Sequence, residues 1–112
     1  NKIESSPVPV YTIVSGCAMS AAFLISISGH KRFAYHNSTF MYHQTFYGMF
    51  GKFESIKEDM KWNKKMEKEM IDYVSQRTKL SKKMIKENDK RQVDWYFNAQ
   101  EALDWGIIDE II

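Results

Sequence analysis

The sequence predicts an α/β domain, and three stretches carry that prediction. "VPVYTIV" (residues 8–14) is β-branched and nearly all apolar, which suits a strand buried on both faces, as in a parallel sheet. A run of small residues from Gly16 to Ala22 then leads into an apolar helical stretch, Ala21 to Ile27, that stops near Gly29. Farther on, long and short helical patterns precede a closing apolar "IIDEII" (107–112). Strands alternating with helices build an α/β fold.

The intervening elements follow in order. "HKRFAYH" and "TFMYHQ" read as two short strands around the turn residues Asn37 and Ser38. "YGMFG" (47–51) is a glycine-punctuated loop or ribbon. Phe53 to Thr78 is a long helix with two apolar stripes. Phe53, Ile56, Met60, Met70 and Val74 form one, and Trp62, Met66 and Tyr73 the other. Two stripes imply two covered sides, and hence a partner subunit. Charges of alternating sign between them, such as Glu58 and Lys61, read as a solvated face. Ser81 is placed to cap the next helix, with Leu80 and Ile85 as its hydrophobic staple. Asn98 caps another, with Glu101 three residues on, and Gly106 ends it. There is no repeat and no linker, so one domain over 1–112 is expected.

Composition excludes several function classes. Sixteen basic and fourteen acidic residues give a net charge of only +2, too even for the concentrated basic face of a nucleic-acid binder. The longest strongly apolar stretch, Ala18 to Ile27, is shorter than the roughly 20 residues a membrane helix needs. The lone Cys17 cannot form an intrachain disulfide, which fits a reducing, cytoplasmic setting. Cys17 itself reads as a buried small residue. The chain opens on "NKIESSPVPVY" with no initiator Met, which reads as the C-terminal portion of something longer or as a processed chain.

The residue that raises a chemical question is Ser20, in "VSGCAMSAAFL" (14–24). A serine at a strand-to-helix junction is usually a helix cap or a small packing residue. It is also where a nucleophile sits when the turn is sharp and the helix N-terminus offers free N–H groups to an oxyanion. Alanines 18, 21 and 22 keep bulk away from it. A nucleophile needs a base and a group that orients the base. Among three histidines, His30 and His36 lie in polar turns and read as exposed, while His43 ends an apolar strand. The three share no ligand-like local spacing, so no metal site is expected. Asp94, flanked by Val93 and Trp95, reads as a partly buried carboxylate in want of a partner.

Three ordered blocks, "VYTIVSGCAMSAAFLISISG", "KRFAYHNSTFMYHQ" and "DWYFNAQEALDWGIIDEII", resemble the ClpP peptidase family, the proteolytic subunit of the caseinolytic protease. The likeness covers essentially the whole chain and matches the family's C-terminal portion, with the N-terminal part missing. It implies a crotonase-like α/β spiral fold with a protruding handle helix, and a serine endopeptidase without cofactors. Ser20 matches the nucleophile, His43 in "MYHQ" the general base, and Asp94 the third member of the triad. The backbone N–H of Ala21 matches an oxyanion donor. Polypeptide substrates, a homo-oligomeric ring, a stacked double ring interlocked through the long helix, and a separate AAA+ ATPase unfoldase are also implied.

The chain departs from that pattern at four places. Cys17 replaces a glutamine, His36 and Thr45 replace prolines, and Trp95 replaces an arginine that bonds across the ring interface. The missing half would carry a second oxyanion donor and the substrate-binding strand, so this stretch alone is expected to be a weak peptidase. Other readings are a non-catalytic scaffold subunit, a crotonase-fold enzyme acting on an acyl-CoA, and a Ser-Lys peptidase. The presence of all three triad residue types disfavours the first two. The lysines sit mostly on charged helix surfaces, which disfavours the last.

Overall fold

A computed structural model describes residues 1–44 and 50–112. The strands are β1 (Tyr11–Val14), β2 (Cys17–Met19), β3 (Lys31–Ala34), β4 (Thr39–Tyr42), β5 (Trp95–Asn98) and β6 (Glu110–Ile111). The helices are α1 (Ala21–Ser26), α2 (Phe53–Arg77), α3 (Lys82–Arg91) and α4 (Ala99–Asp104). Residues 45–49, which include Thr45 and most of the "YGMFG" loop, lie outside the described residues.

The strands form two small sheets, ordered β1-β3-β6 and β2-β4-β5. The chain changes sheet between β1 and β2, and again between β3 and β4. Gly16, at φ +98°, makes the first crossing, and its carbonyl accepts from the Thr39 N–H at 2.8 Å. Ser38 makes the second, its buried hydroxyl donating to the Val14 carbonyl at 2.9 Å. The Asn37-Ser38 turn therefore joins neighbours in different sheets. β1 and β3 run parallel, as do β2 and β4 and also β3 and β6, whereas β5 runs antiparallel to β4.

An aromatic cluster covers the inner face of the second sheet. Phe23 of α1 lies 6.1 Å from Tyr42 and 6.5 Å from Phe97, and Trp95 lies 5.0 Å from Phe97. Such pairs contribute about 0.5–1.5 kcal/mol each beyond the area they bury. Phe23, Phe40, Phe97, Ile27, Leu80, Ile85 and Ile107 are all fully buried.

Several caps form as the sequence predicts. Ser81 accepts from the Met84 N–H at 3.1 Å, and the staple residues Leu80 and Ile85 are both buried beneath it. Asn98 and Glu101 form a reciprocal capping box at α4. Gly29 is packed tightly, since a Cβ there would lie 2.7 Å from Thr12 Oγ1 and 2.8 Å from the Lys31 carbonyl.

The structure corrects other expectations. β1 is parallel but not buried on both faces. It is an edge strand, and Val8, Tyr11 and Ile13 are exposed because nothing among the described residues is layered over that side. α1 is buried on one face only, through Phe23 and Ser26, while Ile25 points outward. The closing strand is limited to Glu110 and Ile111, since Ile107 and Ile108 serve instead as buried plugs after α4. Cys17 is exposed, not buried. Period-two alternation along β2 turns Ala18 inward and sends Cys17 and Met19 out. α2 is divided. Ile71 and Val74 pack in its second half, but Phe53, Met60, Trp62 and Met66 are exposed.

One ion pair ties the central strand β3 to the residue before β6. Arg32 is buried, and its guanidinium grips Asp109 through Nη2 at 2.7 Å and Nε at 3.1 Å. The Arg32 backbone N–H adds a 2.9 Å bond, and the guanidinium also donates to the Arg77 carbonyl. These bonds from Arg32 hold the Asp109 carboxyl below the usual carboxylate range. A depressed carboxyl stabilises the fold above its unfolded pKa of about 3.9, and that contribution is lost as pH falls through the folded value. Asp109→Ala should cost about 1–2 kcal/mol at neutral pH, toward the low end for a charged bond because Asp109 is partly solvated. Thermal melts should show the deficit shrinking as the sample is acidified below the ordinary carboxylate range.

Candidate active site

The second sheet places Ser20 and His43 together. In the parallel pair β2–β4, Met19 stands opposite Met41. Ser20 then leaves the carboxyl end of β2, and His43 leaves that of β4. Sites in sheets with parallel strands gather at those ends.

Ser20 adopts φ 57° and ψ −119°, a conformation that costs a non-glycine residue on the order of 1–3 kcal/mol. Its neighbours impose it. The Ser20 N–H donates to the Met41 carbonyl at 3.1 Å, extending the β2–β4 ladder, while the Ser20 carbonyl accepts from Leu24 at 3.3 Å, opening α1. Strand and helix are thus pinned on opposite sides of one residue, and the backbone must turn sharply there. The serine hydroxyl makes no cap bond to the helix. It points at His43, with Oγ 2.5 Å from Nε2. The cap reading of this serine fails on that geometry.

The histidine tautomer follows from its other nitrogen. Nδ1 lies 2.5 Å from the Gln44 carbonyl, which only accepts, so Nδ1 carries the hydrogen. Neutral His43 then presents a lone pair at Nε2, and the Ser20 hydroxyl donates to it. That is the arrangement in which an imidazole takes a proton from a nucleophile. A cleft of about 230 Å³ opens beside the pair, lined by Ser20, Ala21, Leu24, Tyr42, His43 and Met70.

Asp94 lies in the segment before β5 and is exposed, contrary to the partial burial expected from its apolar neighbours. Strand parity explains this. Trp95 and Phe97 turn inward, so Tyr96 and Asn98 turn out, and Asp94 continues their outward series. The last antiparallel pair is Tyr42 with Trp95, and continuing that register by one residue sets Asp94 across from His43. No hydrogen bond joins Asp94 to His43 among the described residues. His30 and His36 are exposed as expected. His30 is bound by the Val10 N–H at Nδ1 and lies 3.1 Å from the Glu4 carbonyl at Nε2. No group of three metal-ligating side chains occurs among the described residues.

Four polar residues around His43 escaped the sequence reading. Gln44 donates its side-chain amide to Glu67 of α2 at 2.7 Å. The Tyr42 hydroxyl, fully buried, donates to Asp89 Oδ2 of α3 at 3.3 Å. Desolvation holds the Tyr42 phenol far above its usual range, with Asp89 and Glu67 adding to the effect. Asp89 is 7% exposed, and its Oδ1 has no hydrogen-bond partner among the described residues. Burial pushes its carboxyl up despite the bond from Tyr42, and Glu67 pushes the same way. One signal was available in the sequence, since Asp89 stands four residues after the staple residue Ile85, on the inner face of α3.

The residues match a known family model, described as Clp protease, over positions 1–112. The chain belongs to the Clp protease family. It is 31% identical over 105 residues to the ATP-dependent Clp protease proteolytic subunit 2 of Treponema denticola, covering 92% of this chain and 52% of that protein. Identity to the ATP-dependent Clp protease proteolytic subunit of Deinococcus radiodurans is 31% over 106 residues, covering 93% and 51%. For the corresponding subunit of Porphyromonas gingivalis it is 30% over 105 residues, covering 92% and 46%. This Clp protease chain thus spans about half the length of the curated relatives it matches. No helix among its described residues is long and apolar enough to cross a membrane.

The buried Asp89 has a measurable consequence. A carboxyl raised by burial favours the fold while protonated. Its contribution is fully present below the unfolded pKa of about 3.9 and is lost as pH rises through the folded value. Asp89→Asn removes the ionisation and keeps an acceptor for Tyr42. Its melting temperature relative to wild type should therefore rise between acidic and neutral pH. A flat difference across that range would show that Asp89 is not desolvated.

Proposed function

We propose that this chain is the catalytic portion of a serine endopeptidase, a ClpP-like proteolytic subunit acting in ATP-dependent protein degradation. The observation that carries the reading is the Ser20 hydroxyl directed at the unprotonated nitrogen of His43, from a backbone strained into a sharp strand-to-helix turn. His43 takes the hydroxyl proton as Oγ attacks a peptide carbonyl. The N–H of Ala21, at the first turn of α1, faces the developing oxyanion. His43 returns the proton to the leaving amine, and water then hydrolyses the acyl ester at Ser20.

Asp94 completes a Ser-His-Asp triad in this reading. Its place one step beyond the β4–β5 ladder supports the role, because residues opposite each other on antiparallel strands lie within about 5 Å. Its side chain needs only to swing toward Nδ1 and displace the Gln44 carbonyl. The contact between Nδ1 and that carbonyl favours a second reading, a Ser-His dyad with a backbone carbonyl in the orienting place.

The proposal extends to a single domain with the crotonase-like spiral fold, polypeptide substrates, a cytoplasmic setting and an unfoldase partner that spends ATP. It also extends to a homo-oligomeric ring, stacked in pairs through α2 as handle helix. The exposed Phe53, Met60, Trp62 and Met66 on α2 support a role in assembly. The cleft is smaller than the roughly 300–1,000 Å³ of typical small-molecule sites, which favours a side chain of an extended peptide over an acyl-CoA.

A fluorophosphonate probe tests the nucleophile. Intact mass should show one adduct on the wild-type chain and none on Ser20→Ala. A wild type left unlabelled both in this stretch and in the full-length protein would favour the non-catalytic subunit. Asp94→Asn separates the two catalytic readings. A triad predicts that the labelling rate falls by roughly 10²-fold or more, and a dyad predicts no change beyond a few-fold.

A further inference from the structure

The base His43 is flanked by two residues that are each bound to a carboxylate on a different helix. Gln44, after it, is held by Glu67 of α2, and Tyr42, before it, is held by Asp89 of α3. The two flanks differ in what else restrains them. Tyr42 is the last residue of β4, paired in register with Trp95 and packed against Phe23. Gln44 lies beyond the last described pair of the ladder, Tyr42 with Trp95. Yet the Gln44 carbonyl is the group that takes the Nδ1 hydrogen of His43. The orientation of that carbonyl, and through it the histidine tautomer, therefore depends on what holds the Gln44 side chain. The charge-assisted bond to Glu67 is the strong restraint there. Glu67 is well placed to give it. It sits at the start of the packed half of α2, one turn before Met70, which lines the cleft, and Ile71, which is buried.

We propose that Glu67 is a positioning residue for His43, acting through Gln44 to fix the imidazole as the Nδ1–H tautomer. The proposal rests for its purpose on the form of the peptidase reading in which the Gln44 carbonyl, not Asp94, orients His43. Its physical content, a tautomer set by a carboxylate two residues removed, stands apart from activity. The same molecule contains an internal control. The Nδ1 atom of His30 accepts from the Val10 N–H, so His30 has the opposite tautomer and lies outside the site.

The experiment is 15N NMR of the histidine rings in the wild-type chain, with His43→Gln to assign the signals. The two nitrogens of His43 should be widely separated in shift, as one fixed tautomer requires. In Glu67→Ala they should move toward each other as tautomers mix, and Glu67→Gln, which keeps an acceptor for Gln44, should restore the separation. The His30 signals should hold still throughout. Gln44→Met, which removes the amide but leaves the backbone carbonyl, should reproduce the effect and carries the test if Glu67→Ala fails to fold. Fluorophosphonate labelling of the same variants should slow by roughly 10–10²-fold wherever the tautomers mix.

Unchanged His43 signals in folded Glu67→Ala and Gln44→Met would overturn the proposal, as would failure of Glu67→Gln to restore them. Movement of His30 together with His43 would also overturn it, by showing a general loss of structure. Tautomer mixing in a chain whose wild type takes no label, here or in the full-length protein, would uphold the positioning role and reject the peptidase reading instead.

Discussion

The parallel pairing of β2 with β4 is the constraint on which the site depends. It sets Met19 beside Met41 and thereby delivers Ser20 and His43 to the same end of the sheet. The bond from the Ser20 N–H to the Met41 carbonyl then fixes the serine backbone before the helix can dictate it. A serine that followed ordinary helix-capping geometry would spend its hydroxyl on the first turn of α1. The strained conformation denies it that partner and leaves the imidazole as the alternative. The cost, on the order of 1–3 kcal/mol, is met by the aromatic packing behind the sheet, where Phe23 locks α1 against Tyr42 and Phe97.

Much of the frame was legible in the sequence because its signals are local. Capping at Ser81 and Asn98, the stop at Gly106 and the span of α2 each depend on residues a few positions apart. Ser20 and His43 were also legible, one from the small residues around a strand-to-helix junction, the other from its place at a strand end. What the sequence hid depends on long-range partners. Whether Tyr11 and Ile13 are covered is decided by what layers over β1, not by their hydropathy. Cys17 and Asp94 were misjudged from the size or polarity of neighbours, when strand parity was the deciding variable. Residue 94 is outward because 95 and 97 are inward, and that becomes visible only once β5 is known to pair with β4.

Gln44, Glu67, Tyr42 and Asp89 show a further limit. Each is an ordinary polar residue in the sequence, Tyr42 and Gln44 at a strand end, Glu67 and Asp89 on helices expected to carry surface charge. They acquire meaning because α2 and α3 pack behind β4 and bring two carboxylates to the two neighbours of one histidine. The orphaned Oδ1 of Asp89 and the strained Ser20 both lie in this small region. Unfavourable local terms of this kind are tolerated where the surrounding packing over-determines the geometry.

The divided character of α2 gives one helix two stabilities. From Glu67 onward it is fastened by Ile71, Val74 and the bonds of Arg77 to the carbonyls of Ile27 and Gly29. From Phe53 to Met66 it has mainly its own backbone ladder and surface pairs such as Lys65 over the Trp62 ring. Stretches of that length are marginal helices in water when isolated. The outer half therefore borrows its helicity from the anchored half, which supplies the nucleus it would otherwise lack. Its turns can fray and re-form from the tip inward without disturbing the end that holds Gln44, so the tip can adjust its shape while the bond beside His43 stays in place.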